Sequence, residues 1–191
     1  MKDIEEFFPA DKHDWRSWLE SNHQTKEAVW IIFYRQSSPN FNLSWSESVD
    51  EALCFGWIDS TKRKIDDEKY IQYFSKRKPK SNWSKVNKDK VAILIAEERM
   101  QAQGYASIEI AKENGSWTFL DPVEALEMPD DLKEVLENHS GAMEFYDSLS
   151  NSIKKMYLYW VLSAKRTETR QKRILEIATT ASENKKPKHF L

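Results

Sequence analysis

The sequence has little cysteine, glycine or proline: one Cys, four Gly and six Pro in 191 residues. The single cysteine, Cys54, excludes an internal disulfide, which is typical of proteins from a reducing compartment. So few glycines and prolines argue against a loop-rich all-β protein. Hydrophobic residues make up 40% of the chain and eight of them are Trp, so we expect a folded core rather than disorder.

Long apolar runs are also lacking. No window approaches the roughly 18 apolar residues that a membrane-spanning helix needs. The N-terminal stretch "MKDIEEFFPADKHDW" is acidic and has no apolar region of the signal-peptide type. We therefore expect a cytoplasmic protein that does not insert into a membrane.

The spacings typical of metal and catalytic sites are missing as well. The sequence has no glycine-rich phosphate loop, no Gly-x-Ser-x-Gly turn and no paired spacing of its four histidines. Cys54 falls at the end of a predicted helix, where the helix dipole disfavours a thiolate, so we interpret it as a small buried residue. No metal and no cofactor is predicted, and catalytic residues stay unknown.

The pattern of the first half predicts an α+β fold. "DWRSWLESN" has helical periodicity, and "AVWIIFY" (28–34) is typical of a strand buried on both faces. "SWSE" (44–47) matches a capping box, and Gly56 ends the helix that it starts. "GWIDSTKRKI" and "KYIQYFSK" predict a hairpin, which gives a small three-stranded sheet packed with helices.

The second half is predicted to be helical. Ser84 starts one helix, Gly104 breaks the pattern, and helices resume to the end of the chain, with Ser150 as the N-cap of one of them. We divide the chain into an α+β domain (1–118), a linker (119–129), an all-helical C-terminal region (130–184) and a fraying polar tail (185–191).

Charge is distributed in blocks along the chain. Residues 62–90 contain 11 basic and 4 acidic residues, whereas residues 91–138 contain 3 basic and 11 acidic residues. Such blocks either attract an anionic partner or face each other within the fold. Both interpretations stay open.

The basic segment "YFSKRKPKSNWSKVNKDK" (73–90) gives the strongest functional signal. Basic residues alternate there with Phe74 and Trp83, which we expect to be exposed, as in a groove for a polyanion or nucleic acid. A solvated basic surface is the alternative. The ligand-binding candidates of this segment are Arg77, Lys80, Trp83, Ser84 and Asn87.

Further candidates lie on the preceding strand. Trp57, Asp59, Ser60 and Lys62 follow the helix stop, where a carboxylate and a hydroxyl can orient a ligand. Strict alternation places Asp59 on the Trp57 face and Ser60 and Lys62 on the opposite face. In the alternative interpretation Trp57 belongs to the core, Asp59 pairs with Arg63, and Ser60 bonds to backbone.

Near the C-terminus, three arginines recur at helical spacing. Arg166, Arg170 and Arg173 share one face of the last predicted helix, and guanidinium groups favour planar anions. They are anion-binding candidates, with the acidic block at 121–137 as an equal alternative partner.

Three segments, "EALCFGWIDS", "RKPKSNWSKVN" and "AKRTETRQKRI", together resemble the bacterial YdeI/OmpD-associated, or bacteriocin-protection, family. They span nearly the whole chain. Thr167 stands where a proline is common in that family. The resemblance implies a link to an outer-membrane porin and resistance to bacteriocins or cationic peptides, but it supplies neither a catalytic residue nor a cofactor.

Three functional hypotheses follow. The favoured one is a non-enzymatic protein of the bacteriocin-protection type that binds an unknown anionic small molecule or a protein partner. The second is a small-molecule enzyme that uses Asp59, Ser60 and Lys62. The third, less favoured, is a nucleic-acid-binding module that uses residues 74–90.

Overall fold

The computed structural model describes residues 4–190, which divide into two compact units with the boundary between Phe119 and Leu120. The elements of the first unit are β1 Glu6–Phe7, α1 Lys12–Asn22, β2 Ala28–Tyr34, α2 Trp45–Cys54, β3 Trp57–Lys64, β4 Lys69–Lys76, α3 Lys85–Ala96 and α4 Ala102–Glu113. Those of the second are α5 Asp121–Glu124, α6 Asp130–Glu137, α7 Ala142–Ser148, α8 Asn151–Leu162, α9 Thr167–Ser182 and a 3-10 turn at Lys188–Phe190.

The first unit contains a mixed sheet with strand order β1-β2-β4-β3. β4 pairs antiparallel with β2 and β3, and β1 pairs parallel with β2. The predicted α+β class is confirmed, but the expectation of three strands is wrong because β1 adds a fourth. A two-residue strand is too short to show alternation, so its tertiary pairing alone defines it.

Local capping fixes the helix ends as the sequence predicts. Ser44 and Glu47 form the capping box of α2, and Gly56 follows that helix with a φ of +71°. Ser84 caps α3, and Ser150 caps α8. Each cap accepts a hydrogen bond from a backbone N–H of its first helical turn, which would otherwise lack a partner.

The core of the first unit lies on one face of the sheet. Val29, Ile31 and Phe33 of β2 and Phe74 of β4 are fully buried against apolar residues of the helices. The alternate residues of β2 are partly exposed, so the expectation that this strand is buried on both faces is wrong. An antiparallel neighbour allows one face of a strand to remain accessible to water.

The second unit has its own helical core. α5 lies within the predicted linker, and its Val123 is buried in this core. The expectation that the polar tail frays is wrong over Lys188–Phe190. Phe190 packs against Tyr157, with ring centroids 4.9 Å apart, and His189 stacks on Trp160 at 5.0 Å.

Candidate functional site

The end of α2 and the start of β3 form one wall of a cleft. Gly56, between them, has a left-handed conformation that favours glycine. A Cβ atom at this position would lie 2.8 Å from the carbonyl oxygen of Gln103. The Gly56 carbonyl accepts the backbone N–H of Arg77 at 2.9 Å. This single turn therefore brings together Trp57, Arg77 and α4.

Trp57 contributes a buried donor to this cleft. Its side chain is fully buried and packs edge-on against Trp18, with ring centroids 5.8 Å apart. The indole N–H has no hydrogen-bond partner among the residues that the structure describes. Leaving a buried donor unsatisfied costs about 1–3 kcal/mol, and this nitrogen has no surface accessible to water in the structure.

Arg77 contributes a partly buried charge without an ion-pair partner among the described residues. Its guanidinium lies 3.6 Å from the ring centroid of Trp83, and Nη2 donates to the Asn82 carbonyl at 2.7 Å. Nε and Nη1 are buried and have no partner within residues 4–190. Burial lowers the pKa of Arg77 to about 10, although the charge of Asp59 acts in the opposite direction. The group is cationic at neutral pH.

The cleft between these groups has a volume of about 500 Å³. We call it the Arg77 cleft, and its lining includes His23, Phe55, Trp57, Arg77, Gln103 and Ile110. The neighbouring Lys76 also lines it but donates to the Glu27 carboxylate at 2.7 Å. Polar residues such as Gln103 and apolar residues such as Ile110 both line the cleft, which is large enough for a small molecule.

The predicted cluster on β3 is arranged differently from the expectation. Asp59 pairs with Phe74 of β4 and Lys62 pairs with Gln72, so two residues of β3, at positions 60 and 61, lie opposite one residue of β4, at position 73. This β-bulge shifts the alternation and places Lys62 on the same face as Asp59. The expectation that Lys62 lies on the opposite face is therefore wrong.

The contacts of the β3 cluster also differ from the prediction. Asp59 Oδ2 accepts from the indole N–H of Trp45 at 2.9 Å and from the Gln72 amide at 3.0 Å. Arg63, its expected partner, lies instead over the Trp30 ring at 4.7 Å, so that pairing is wrong.

The remaining groups of this cluster have other roles. The Ser60 carbonyl accepts from the Gln72 amide at 3.1 Å, and the Lys62 ammonium lies 3.8 Å from the Tyr70 ring centroid. Asp59, Ser60 and Lys62 do not line the Arg77 cleft.

The basic segment does not present its aromatic rings to solvent. Phe74 is 0% exposed and Trp83 is 1% exposed, so the expectation that both are exposed is wrong. Trp83 packs between Arg77 and Trp117, whose ring centroid lies 4.9 Å away. A base cannot stack on either ring in this conformation.

Polar residues around Trp83 hold the local backbone. Ser84 Oγ accepts from the backbone N–H of Asn87 at 3.3 Å, so both form the start of α3. Lys80 is exposed. Among the other basic residues of the segment, Lys85 pairs with Asp89, and Lys90 pairs with Asp50 at 2.7 Å.

The three C-terminal arginines do not act as one group. Arg170 binds the Asp131 carboxylate through Nε at 2.6 Å and Nη2 at 2.8 Å, which confirms the acidic-block alternative for this residue. Arg173 donates to the Trp160 carbonyl and to Ser163 Oγ, so its guanidinium stabilises the end of α8. Arg166 is exposed at the N-cap of α9.

Sequence reasoning missed a second cavity, of about 390 Å³, lined partly by Arg16, Glu51 and Arg99. Glu51 is 4% exposed, and its carboxylate binds Arg16 at 2.8 Å and Arg99 at 2.6 Å. The sequence feature that could have indicated this cluster is Glu51 itself, a charged residue next to the apolar positions of α2. Burial raises the pKa of the nearby Cys54 thiol to about 11, in keeping with an unreactive cysteine.

Within residues 4–190, no cluster of three or more His, Cys, Asp or Glu side chains is arranged to hold a metal ion. No helix in the described part of the chain has the length and apolar character needed to cross a membrane.

Two family models match the chain. One, described as a domain of unknown function (DUF8412), matches residues 7–107. The other, described as "Bacteriocin-protection, YdeI or OmpD-Associated", matches residues 125–184, which confirms the resemblance inferred from the sequence. That match contains "AKRTETRQKRI", whereas the other two motifs fall within the first match. No curated protein and no solved structure is significantly similar to the chain.

Proposed function

We propose that the protein is a non-enzymatic bacteriocin-protection protein that binds an anionic ligand, because the chain belongs to the DUF8412 family through residues 7–107 and its residues 125–184 match the bacteriocin-protection, YdeI or OmpD-associated family model. The proposed site is the Arg77 cleft. The proposal places the protein in the cytoplasm, in keeping with its single buried cysteine.

One observation carries the proposal: Arg77 is a partly buried cation with two buried, unpartnered nitrogen atoms and no carboxylate at ion-pair distance within residues 4–190. Isolated buried charges are destabilising, and proteins usually pair them. An anion in the adjoining cleft would balance the charge of Arg77.

The cleft supports binding rather than catalysis. Ser107, the hydroxyl among its lining residues, donates to the Gly104 carbonyl at 2.8 Å. His23 Nδ1 lies 2.8 Å from the Leu19 carbonyl, and Lys76 is paired with Glu27. No nucleophile and base are paired among these groups in the way that covalent catalysis requires.

Arg77→Met tests the site, because it removes the charge and keeps most of the side-chain volume. We expect the free variant to unfold within about 1 kcal/mol of the wild type, since replacing a poorly paired buried charge by an apolar group is often neutral. Anions should raise the melting temperature of the wild type, because a ligand that binds the folded state stabilises it by mass action. The variant should lose this increase.

Lys78→Met is the matched control, since Lys78 is the next residue and its side chain is exposed. It removes the same formal charge and should keep the response to anions. If both variants lost the anion-induced increase in melting temperature equally, the net charge of the protein and not the cleft would be responsible for that increase. Complementation of a deletion strain with each variant, followed by challenge with a cationic peptide, tests the protective role. Protection by Arg77→Met equal to that by wild type would contradict the proposal.

A further inference from the structure

His23 is a lining residue of the Arg77 cleft with one ring nitrogen bonded and the other free. It is the C-cap residue of α1, and its side chain is partly exposed. Nδ1 lies 2.8 Å from the carbonyl oxygen of Leu19, which can only accept, so Nδ1 carries a hydrogen in both protonation states. Nε2 has no hydrogen-bond partner within residues 4–190 and is accessible to water. Nε2 is therefore the nitrogen that gains or loses the proton.

Protonation of His23 reverses what Nε2 offers to an anion. The neutral ring presents a lone pair at Nε2, which repels an anion, whereas the imidazolium presents a charged N–H donor there. Hydrogen bonds from a charged donor are about twice as strong as neutral ones. Histidine is also the side chain whose charge ordinarily changes between about pH 5 and about pH 8. An anion in contact with Nε2 would therefore favour the protonated ring, and protonation would favour the anion.

On the β4 and α4 sides of the cleft, the net charge near His23 is positive. Lys76 is bound to the Glu27 carboxylate at 2.7 Å, which leaves the positive charge of Arg77. The charge of Asp59 acts on Arg77 too, but Asp59 does not line the cleft. The residues of α4 in the lining do not titrate: Gln103, Ala106, Ser107 and Ile110. A second positive charge at His23 is unfavourable beside Arg77 unless an anion balances it.

On the α1 and α2 sides, the charged groups near His23 are already paired. The His23 ring packs against Phe55, with ring centroids 5.1 Å apart, and the Arg16 guanidinium lies 5.2 Å from the same Phe55 ring. Arg16 is bound to two carboxylates, those of Glu20 and Glu51. The neighbouring Cys54 stays a neutral thiol, because burial raises its pKa to about 11. The C-terminal end of α1 favours a cation, because the helix dipole is negative there.

We propose that His23 is a second contact for the anion in the Arg77 cleft and that Nε2 binds this anion in the protonated state. The proposal rests on the anion-binding function proposed above and specifies how pH regulates it. Anion binding then takes up a proton, and the affinity falls as pH rises through the range in which histidine loses its charge.

Isothermal titration of the wild-type chain with sulfate and with nitrate tests the proposal, because the charge of neither probe changes between about pH 5.5 and about pH 8. We expect each anion to bind about fivefold more tightly at the lower pH, which is the weaker end of typical coupling between two binding events. Titrations at about pH 6.5, the ordinary midpoint of histidine, in two buffers of different ionisation enthalpy should show uptake of a fraction of one proton for each anion bound. This measurement needs no variant, so it tests the proposal even if a substitution at His23 prevents folding.

His23→Asn removes Nε2 and keeps an amide N–H that can donate to the Leu19 carbonyl in place of Nδ1. At both pH values it should bind the anions with the affinity that the wild type shows at the higher pH, and without proton uptake. His13→Asn is the matched control, since His13 is an exposed histidine of the same helix that does not line the Arg77 cleft. It should keep both the pH dependence and the proton uptake of the wild type.

The possible failures are distinguishable. Binding that is abolished by Arg77→Met but has equal affinity at both pH values, without proton uptake, would overturn the role of His23 and leave the proposed anion-binding function intact. A pH dependence that persists in His23→Asn would also overturn that role. Absence of binding of both anions to the wild type at the lower pH would overturn this inference and the proposed use of the cleft together.

Discussion

At the scale of single residues, Glu51 is the clearest case of a side chain whose neighbours determine its role. Its buried carboxylate lies between Arg16 and Arg99, and Arg16 Nη2 also donates to the Arg99 carbonyl at 3.2 Å. Burial alone would lower the pKa of Arg16, but the hydrogen bond and charge of Glu51 raise it. The three residues therefore stabilise one another as a unit.

Glu51→Gln should destabilise the protein strongly. The change leaves two partly buried guanidinium groups without their shared carboxylate, and removing one partner of a buried pair costs about 3–5 kcal/mol. We expect the free energy of unfolding to fall by about 3 kcal/mol, the lower end of this range, because the arginine side chains remain 22% and 34% exposed. Urea unfolding followed by tryptophan fluorescence measures it.

The matched control is Glu20→Gln. Glu20 binds the same Arg16 at 3.2 Å, but its side chain is 54% exposed. An exposed i,i+4 pair contributes less than about 1 kcal/mol, so this variant should unfold close to the wild type. Similar losses in the two variants would show that burial of Glu51 has no special energetic role.

At the scale of elements, α6 and α9 are joined by one bidentate contact. Arg170 of α9 binds both carboxylate oxygens of Asp131 in the first turn of α6. Bidentate geometry makes this pair more favourable than an ordinary surface pair. The hydrogen bond from Arg170 holds the pKa of Asp131 below its usual value, although partial burial acts in the opposite direction.

This contact should make the stability of the second unit depend on pH. The pKa of Asp131 is lower in the folded protein than in the unfolded chain, where it is about 3.9. The stabilisation by the Asp131–Arg170 pair is therefore fully present above about pH 3.9 and disappears as pH falls through the lower pKa of the folded state. Asp131→Asn should therefore lower the melting temperature at pH 7. The difference from wild type should shrink below about pH 3.9.

Asp130→Asn is the control, since it removes the same charge from the same helical turn. It keeps the bond between Asp131 and Arg170, so its effect at pH 7 should be smaller. The pair is 26% and 47% exposed, so we expect a modest effect, below about 1 kcal/mol. A difference between wild type and Asp131→Asn that stays constant down to pH 2 would contradict this account.

At the scale of the whole molecule, each of the two units has a separate hydrophobic core. All residues that line the Arg77 cleft lie between positions 23 and 110, within the first unit. A unit with its own core is expected to fold independently. The predicted domain division, which separates residues 1–118 from 130–184, stays a prediction until this is tested.

A fragment of residues 1–119 should therefore fold and bind anions with the affinity of the full chain. Circular dichroism and a cooperative thermal transition would establish folding, and the increase in melting temperature with anion concentration would compare affinity. The Arg77→Met version of the fragment is the control for site-specific binding. A folded fragment that binds tenfold more weakly than the full chain would show that residues 120–191 contribute to the site.

Several features of the protein follow from the sequence by itself. The caps at Ser44, Ser84 and Ser150 and the stop at Gly56 are confirmed. The hairpin of β3 and β4 and the strand Ala28–Tyr34 are confirmed too. The caps, the stop and the hairpin depend on interactions between residues a few positions apart, so neighbouring residue types are sufficient to determine them. The strand Ala28–Tyr34 pairs with distant residues of β4, but its short run of apolar, β-branched and aromatic residues was sufficient to indicate it.

Other features depend on contacts between residues far apart in the sequence. Gly104 was expected to break a helix, but it lies inside α4, where a Cβ would approach the Cys54 carbonyl to 2.4 Å. The β-bulge moves Lys62 to the Asp59 face, and it is visible only in the pairing of β3 with β4.

The Arg77 cleft is likewise a product of tertiary structure. Sequence reasoning selected Trp57 and Arg77 separately, as candidates on a strand and in a basic segment. It could not show that one backbone hydrogen bond from Arg77 to Gly56 brings them to the same cleft, or that both remain unpaired there. Local sequence determines where each element begins and ends, whereas long-range packing determines which buried polar groups find a partner and which do not.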